Sequence, residues 1–289
     1  MDLTTFFIQT LNGIQYGFML FLVASGLTLI FGIMGIINLA HGAFYMIGAY
    51  LVFWLMGIFG NLFLSIAAGI VLMLIIGFLI ERFAISFLYH RDHLHQVLLT
   101  YGLILILNEM QKILWGSDFN SVAVPEILSG SIRLTETLVY PHYRLFISFM
   151  CMLVAAGMYF VISHTKLGMI IRAGASNREM TQAMGINISW NFALVFSLGA
   201  ALAGFAGMIG APVSSVYPGM GDQILIISFV VIVIGGIGSV KGAFVAAMLI
   251  GLADTFGQVL LPEFAAMIVY LLMAAVLMWR PQGLFGQTT

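Results

Sequence analysis

A long polar stretch at residues 164–189 reads HTKLGMIIRAGASNREMTQAMGINIS and interrupts a chain that is otherwise almost continuously apolar. Inside it, Ser176 and Glu179 have the S-x-x-E spacing of a capping box, in which a hydroxyl and a carboxylate satisfy free backbone amides at a helix start. Gly185 stands where a left-handed C-terminal cap is expected. The stretch therefore predicts a short capped helix, about 176–184, held outside the membrane. An ordinary solvated loop between two helices is the alternative.

The composition indicates an integral membrane protein. Hydrophobic residues make up 62% of the chain and charged residues 7%, which is more apolar surface than a single soluble core can cover. The single cysteine, Cys151, lies in an apolar run, so neither a disulfide framework nor a cysteine metal site is expected. No basic residue precedes the first apolar segment, so we expect that segment to be retained and not cleaved as a signal peptide.

Apolar runs long enough to span a bilayer recur along the chain, since a spanning helix needs about 20 predominantly apolar residues. The fold class is thus an all-α polytopic membrane protein with about eight or nine transmembrane helices. The break at residues 35–42 is either a tight turn or an unwound, re-entrant stretch. The candidate spans lie near 12–34, 43–60, 61–80, 95–115, 143–163, 190–211, 222–240, 243–261 and 264–280.

The distribution of lysine and arginine predicts the orientation. If residues 164–189 are cytoplasmic, seven of the ten basic residues fall inside and three outside, in agreement with the positive-inside rule. The N-terminus is then outside and the C-terminus inside. The longest outer segment, residues 116–142, carries the acids Asp118, Glu126 and Glu136.

Small residues predict where helices pack closely. Gly13 and Gly17, and the series Gly199, Ala203 and Gly207, each place small side chains on one helix face.

A possible internal repeat is also present. The tetrapeptides His41-Gly-Ala-Phe and Lys241-Gly-Ala-Phe each follow an apolar run and begin a span. The repeated tetrapeptide indicates either an internal duplication into two parallel halves or a chance match of four residues.

Few ionisable groups lie within the spans, and such groups are functional candidates by default because charge is costly there. Glu109 and Lys112 stand three apart and favour a structural ion pair. Asp254 lacks a local partner and is a candidate for the translocation path, with a satisfied buried carboxylate as the alternative. Asn38 and His41 lie in the break after the first span, where exposed backbone could line a cavity. A helix cap or an interface contact is the alternative for the histidine.

Signatures of an enzyme or an ATP-binding site are missing from the sequence. His90, His93 and His95, with Asp92, indicate a solvated cytoplasmic turn, because no further residue completes a metal ligand set. None of the three lysines follows a glycine, as a P-loop requires. We therefore expect no cofactor on this chain.

Four stretches resemble one known family, in order and over most of the chain. They are GLTLIFGIMGIINLAHGAFYMIGAY (26–50), GMIIRAGASNREMTQAMGIN (168–187), VIGGIGSVKGAF (233–244) and RPQGLFG (280–286). The sequence is similar to branched-chain amino acid ABC transporter permeases, specifically the H-type subunit. Lys241 departs from the pattern, where a small residue or proline is expected.

This resemblance implies a complex in the bacterial inner membrane. It contains a second, M-type permease, two cytoplasmic ATPase subunits that hold ATP and Mg, and a periplasmic binding protein for leucine, isoleucine or valine. The whole chain, 1–289, would be one permease domain surrounded by lipid, with no nucleic-acid partner. Residues 164–189 would be the cytoplasmic coupling loop and 116–142 the periplasmic loop. The residues implied to couple to the ATPase are Arg172, Ser176, Asn177, Arg178, Glu179, Gln182 and Gly185.

Three alternatives to this function remain open at the level of sequence. A urea or short-amide permease has a similar pattern. A secondary carrier or channel acting alone is disfavoured by the coupling signature and by the few intramembrane acids that could bind a driving ion. An intramembrane enzyme is least supported, because no pair of nucleophile and base is present.

Overall fold

The computed structural model describes residues 3–89, 91–133 and 139–286, and this part of the chain is helical apart from short links and one small β-hairpin. The hairpin pairs β1 (Ser131–Arg133) antiparallel with β2 (Val139–Pro141). The helices are α1 (Leu3–Met34), α2 (His41–Phe59), α3 (Leu62–Phe83), α4 (His93–Trp115), α5 (His142–His164), α6 (Lys166–Ser176), α7 (Arg178–Ala183), α8 (Ile188–Gly210), α9 (Met220–Gly235), α10 (Val240–Leu260) and α11 (Ala265–Trp279).

Each of the nine predicted spans coincides with one of these helices. Within the described ranges, seven helices are long and apolar enough to cross a membrane, namely α1 to α5, α8 and α10. The other two, α9 and α11, are apolar but shorter. The prediction of an all-α polytopic membrane protein is therefore confirmed, with two of its spans shorter than expected.

Two helices form the centre of the molecule. The apolar window of α1 is 78% buried and that of α8 is 83% buried, compared with 11% for α5. Helix α1 packs against α10, α8, α5 and α9, whereas α5 turns most of its apolar side chains outward. Because the outward surface of a membrane protein faces lipid, this distribution places α1 and α8 in the interior of the bundle.

Close helix contacts occur at the predicted small residues. On α1, Gly13 and Gly17 lie against α10, and a Cβ added at Gly17 would be 3.0 Å from the carbonyl oxygen of Ala247. On α8, a Cβ added at Gly207 would overlap with the carbonyl oxygen of Tyr45 on α2. Only glycine allows these backbones to approach so closely, so the predicted role of these glycines in packing is confirmed.

The break after α1 is a re-entrant segment, residues 35–40, and not a tight turn. His41, the first residue of α2, places Nε2 2.9 Å from the carbonyl oxygen of Val23. Val23 lies eleven residues before the end of α1, or about 16 Å of helix. Segment 35–40 therefore runs back alongside α1 before α2 begins. The side chain of Gln96 on α4 accepts a hydrogen bond from the amide of Ile37 at 3.3 Å, which satisfies one of its backbone groups.

The motif at residues 280–286 closes the end of α9. The amide of Leu284 donates to the carbonyl of Ile234 at 2.8 Å, and the amide of Phe285 donates to the carbonyl of Gly235 at 3.1 Å. These carbonyls belong to the last turn of a helix, where intrahelical partners are lacking. The C-terminal turn thus supplies the missing donors.

The two similar tetrapeptides, which start at His41 and Lys241, each begin a helix, but their surroundings differ. His41 is fully buried at the start of α2, and Lys241 is exposed at the start of α10. The hydroxyl of Ser239 caps α10 by accepting from the amide of Gly242 at 3.0 Å, whereas Ala40 offers α2 no side-chain cap. An internal duplication stays a prediction.

Candidate functional site

A cavity of about 610 Å³ opens among α1, α2, α5, α9, α10 and the link at residues 211–219. Its wall on α1 extends from Gln9 to Met19, which is the half of the helix predicted to lie toward the outside. The volume is in the range of small-molecule binding sites. The cavity is therefore the first candidate for a place where a solute binds.

Asp254 on α10 lies on the wall of this cavity. Its Oδ2 accepts a hydrogen bond from Nε2 of Gln258, one turn further along α10, at 2.7 Å. The side chain is only partly buried, so the carboxylate is held in place but remains open to the cavity. The structure thus places the predicted path residue on the wall of this cavity.

Arg144 on α5 faces the same cavity, and sequence reasoning missed it. Its Nη1 donates a hydrogen bond to Oδ1 of Asn12 on α1 at 2.6 Å. In the sequence this arginine stands at the edge of a span and resembles any outer basic residue. The available signal was its position just inside the apolar run, three residues after Pro141.

The rest of the cavity wall is neutral. Side-chain amides at Gln9, Asn12 and Gln15 follow one side of α1, and the rings of Tyr16, Tyr45 and Tyr217 contribute aromatic surface with hydroxyl groups. Apolar surface comes from Met19, Val213, Met220, Ile224 and Val259. Such a wall suits a ligand that combines polar groups with an apolar body.

Asn38 and His41 do not face this cavity. Both are fully buried. The Oδ1 of Asn38 accepts from the amide of Ala40 at 3.1 Å, and His41 contacts the backbone of Val23. Asn38 also borders a separate apolar cavity of about 50 Å³. Both side chains thus bind backbone groups within or next to the re-entrant segment. For His41, this is the cap or interface contact that the sequence left open as the alternative.

Segment 116–142, which the sequence predicts to lie outside, contacts the link that borders the cavity. The amide of Asn120 donates to the carbonyl of Val216, and the amide of Val216 donates back, both at 2.8 Å. The rings of Phe119 and Tyr217 lie 5.4 Å apart beside this pair. Glu136, one of the three acids predicted for this segment, lies outside the described residues.

Residues 164–189 contain two short helices, α6 and α7, and the predicted capping box is wrong by one position. Ser176 is the last residue of α6, so it does not begin the next helix. The N-cap of α7 is Asn177, whose Oδ1 accepts from the amide of Met180 at 2.9 Å. Both serine and asparagine are favoured N-caps, so spacing alone did not separate them. The predicted C-terminal cap is confirmed, because Gly185 has a φ of +80°.

The other residues predicted to couple to an ATPase belong to α6 and α7. Arg172 and Gln182 are exposed, and the guanidinium of Arg172 donates to the carbonyl of Ile162 on α5. Met180 and Met184 are 64% and 77% exposed. Arg178 and Glu179 belong to α7, and the structure describes only their backbone.

Glu81 is a second carboxylate that sequence reasoning missed. It lies near the end of α3, is 1% exposed, and accepts a hydrogen bond from the hydroxyl of Tyr89. In the sequence it stands next to Arg82 at the end of an apolar run, which is typical of a solvated pair. The fold instead turns Glu81 inward and Arg82 outward.

The remaining charged candidates lie at the surface. Nζ of Lys112 is 2.6 Å from Oε1 of Glu109, and both side chains are largely exposed, which confirms the predicted ion pair. His93 and His95 are exposed, and His90 lies outside the described residues. In the described part of the chain, no group of three potential ligands forms a metal site.

The fold and the cavity together define the class of this protein. It is a multi-pass membrane protein with a partly polar cavity of a size suited to a small solute. The profile of one family matches residues 9–277, and that family is described as the permease component of the branched-chain amino acid transport system. The chain belongs to this family. The resemblance predicted from its four motifs is therefore confirmed.

Three relatives match over nearly their full length. The permease protein BraD of the high-affinity branched-chain amino acid transport system of Pseudomonas aeruginosa is 32% identical, covering 96% of this chain and 95% of BraD. The corresponding protein LivH of Escherichia coli K12 is 30% identical over the same shares. A probable branched-chain amino acid transport permease of Methanocaldococcus jannaschii is 30% identical, covering 95% of this chain and 91% of its own. All three are transport permeases and not enzymes. No solved structure matched the chain.

Proposed function

We propose that this chain is the membrane-spanning permease subunit of an ATP-driven importer for leucine, isoleucine and valine in a bacterial inner membrane. The observation that carries the proposal is the similarity, over 95% or more of this chain, to permeases named for branched-chain amino acid transport. The cavity supports it, because an aliphatic amino acid needs apolar walls and a few polar groups for its ammonium and carboxylate.

In this proposal, α7 is the contact with the ATPase subunits, which bind ATP and Mg. Met180 and Met184 are four residues apart and expose apolar side chains on a segment that is otherwise polar. Flexible methionine side chains are common at docking surfaces, and exposed apolar patches favour a protein partner. Closure of the ATPase dimer would then move α7 and, through α6 and α5, the wall of the cavity.

The opposite face would receive a periplasmic binding protein. The outer segment 116–142 is linked to the cavity border by the paired amides of Asn120 and Val216. Docking on that segment would therefore act on residues 213–217 directly. An M-type permease would complete the membrane part, with the N-terminus of this chain outside and its C-terminus inside.

Uptake into proteoliposomes tests the proposal. The two permeases, the two ATPase subunits and the binding protein are reconstituted together, and labelled leucine uptake is measured with ATP or with ADP. We expect uptake to require both ATP and the binding protein. Full uptake driven by an ion gradient without ATP would assign the chain to the secondary carriers. Uptake of urea in place of leucine would assign it to the amide permeases.

A further inference from the structure

We infer that the 610 Å³ cavity is a binding site for a zwitterionic amino acid, in which Asp254 binds the ammonium group and Arg144 binds the carboxylate. This inference rests on the proposed function and names the chemistry of its substrate site. It predicts a preference for amino acids with neutral side chains.

The charges on the cavity wall are matched one to one. Among the described residues that line the cavity, Asp254 is the single acid and Arg144 the single base. The formal charge of the site is therefore zero, as is the charge of a neutral amino acid. A cationic or anionic amino acid would bring an uncompensated charge into a partly desolvated site, which is unfavourable.

Neither charge is neutralised within the protein. In the described part of the chain, neither side chain forms an ion pair, and their hydrogen-bond partners are the neutral amides of Gln258 and Asn12. An amide orients the charged group without cancelling its charge. Both groups thus keep the capacity to bind an opposite charge on a ligand.

The contacts of α1 place both charges at the same depth. Arg144 is bonded to Asn12, and the adjacent Gly13 packs against Gly251 on α10. Asp254 lies three residues after Gly251, or about one helical turn further along α10. Both charged side chains therefore face the same cavity near the level of Asn12, where they are available to the two ends of one zwitterionic head group.

Part of the apolar surface lies further along α1 than the two charges. Met19 is seven residues beyond Asn12, or about 10 Å further along α1. Met220 and Ile224 on α9 contribute apolar surface to the same cavity. A ligand whose head group binds at the level of Asn12 would direct an aliphatic side chain toward Met19. This arrangement suits leucine, isoleucine and valine better than urea, which has neither charge nor side chain.

The test uses two cavity variants and two matched controls in the reconstituted complex. Asp254→Asn and Arg144→Gln each remove one charge from the cavity. Glu109→Gln and Lys112→Gln remove the same kinds of charge from the exposed pair on α4. We expect ATP-dependent leucine uptake to fall about 10- to 100-fold in each cavity variant, the range for loss of a hydrogen bond to a charged group. The controls should stay within about twofold of the wild type. Asp254→Glu, which keeps the charge, should recover most of the uptake.

A second measurement reports binding without transport. The melting temperature of the solubilised complex, prepared without the binding protein, should rise with leucine but not with equal concentrations of lysine, glutamate or urea. Both cavity variants should lose the leucine shift, and both α4 controls should retain it.

The outcomes separate this inference from the proposed function. Unchanged uptake and an unchanged leucine shift in both cavity variants would overturn the site. Equal losses in the α4 controls would overturn it too, because the effect would not belong to the cavity. A wild-type complex that shows the specific leucine shift but no ATP-dependent uptake would refute the importer and support the site.

Discussion

Replacement of Gly185 by valine should weaken coupling without affecting insertion. Gly185 ends the α7 segment with a φ of +80°, and a Cβ added there would meet no atom within 4 Å. The substitution therefore creates no clash, and its effect is conformational. A non-glycine residue in the left-handed region costs about 1–2 kcal/mol, because its Cβ approaches the following carbonyl oxygen. A cost of this size lowers the ratio of capped to uncapped conformations about 5- to 30-fold.

The assay is ATP hydrolysis stimulated by the loaded binding protein, measured at equal membrane content of the complex. We expect Gly185→Val to reduce stimulation by up to about 30-fold, the factor by which the ratio of capped to uncapped conformations falls. Gly185→Asn should keep most of it, because asparagine tolerates the left-handed conformation. Gly157→Val is the matched control, since this glycine of α5 has open space around it and an ordinary helical backbone.

Wild-type stimulation in Gly185→Val would refute the reasoning, because the segment would then behave as a solvated loop. An equal loss in Gly185→Asn would also refute it, since the effect could not then depend on the backbone conformation.

Two further predictions concern the stability of the bundle. Gly48→Ala should lower the melting temperature and the membrane content, because the new Cβ would overlap with the backbone of α8, at a cost of about 1–3 kcal/mol. Gly57→Ala, on the same helix, is the control. Its Cβ would lie in open space, so this change should be neutral or slightly stabilising. Gln96→Leu should destabilise by about 1–3 kcal/mol because the amide of Ile37 loses its acceptor. The corresponding change at Asn108 on α4 should leave the melting temperature nearly unchanged, and equal effects of the two changes would count against this role of Gln96.

The sequence predicted the helices well because the membrane imposes one dominant requirement. Each apolar run of sufficient length must form a helix in lipid, where backbone groups have no other partner. Helix α6 was hidden within the polar stretch, since its residues lack the length and hydropathy of a span. The one-residue error between Ser176 and Asn177 arose because two good N-caps stand side by side.

Of the two charged residues in the candidate site, only Asp254 could be predicted from the sequence. Asp254 stood out because a lone carboxylate inside a span is unusual. Arg144 did not, because its meaning depends on Asn12, which lies 132 residues earlier in the chain. Glu81 was overlooked for a different reason: its partner Tyr89 is only eight residues away, but only the fold determines whether a carboxylate at a helix end turns inward.

The hydrogen bond between the re-entrant segment and α4 also sets an order of events during synthesis. Ile37 leaves the ribosome 59 residues before Gln96, the acceptor of its amide. While only the first helices have been inserted, this amide lacks its native acceptor, and lipid tails offer no substitute. The nascent hairpin of α1 and α2 is thus incomplete until α4 arrives. The hydrogen bond that joins segment 35–40 to α4 therefore forms only after that helix has been synthesised.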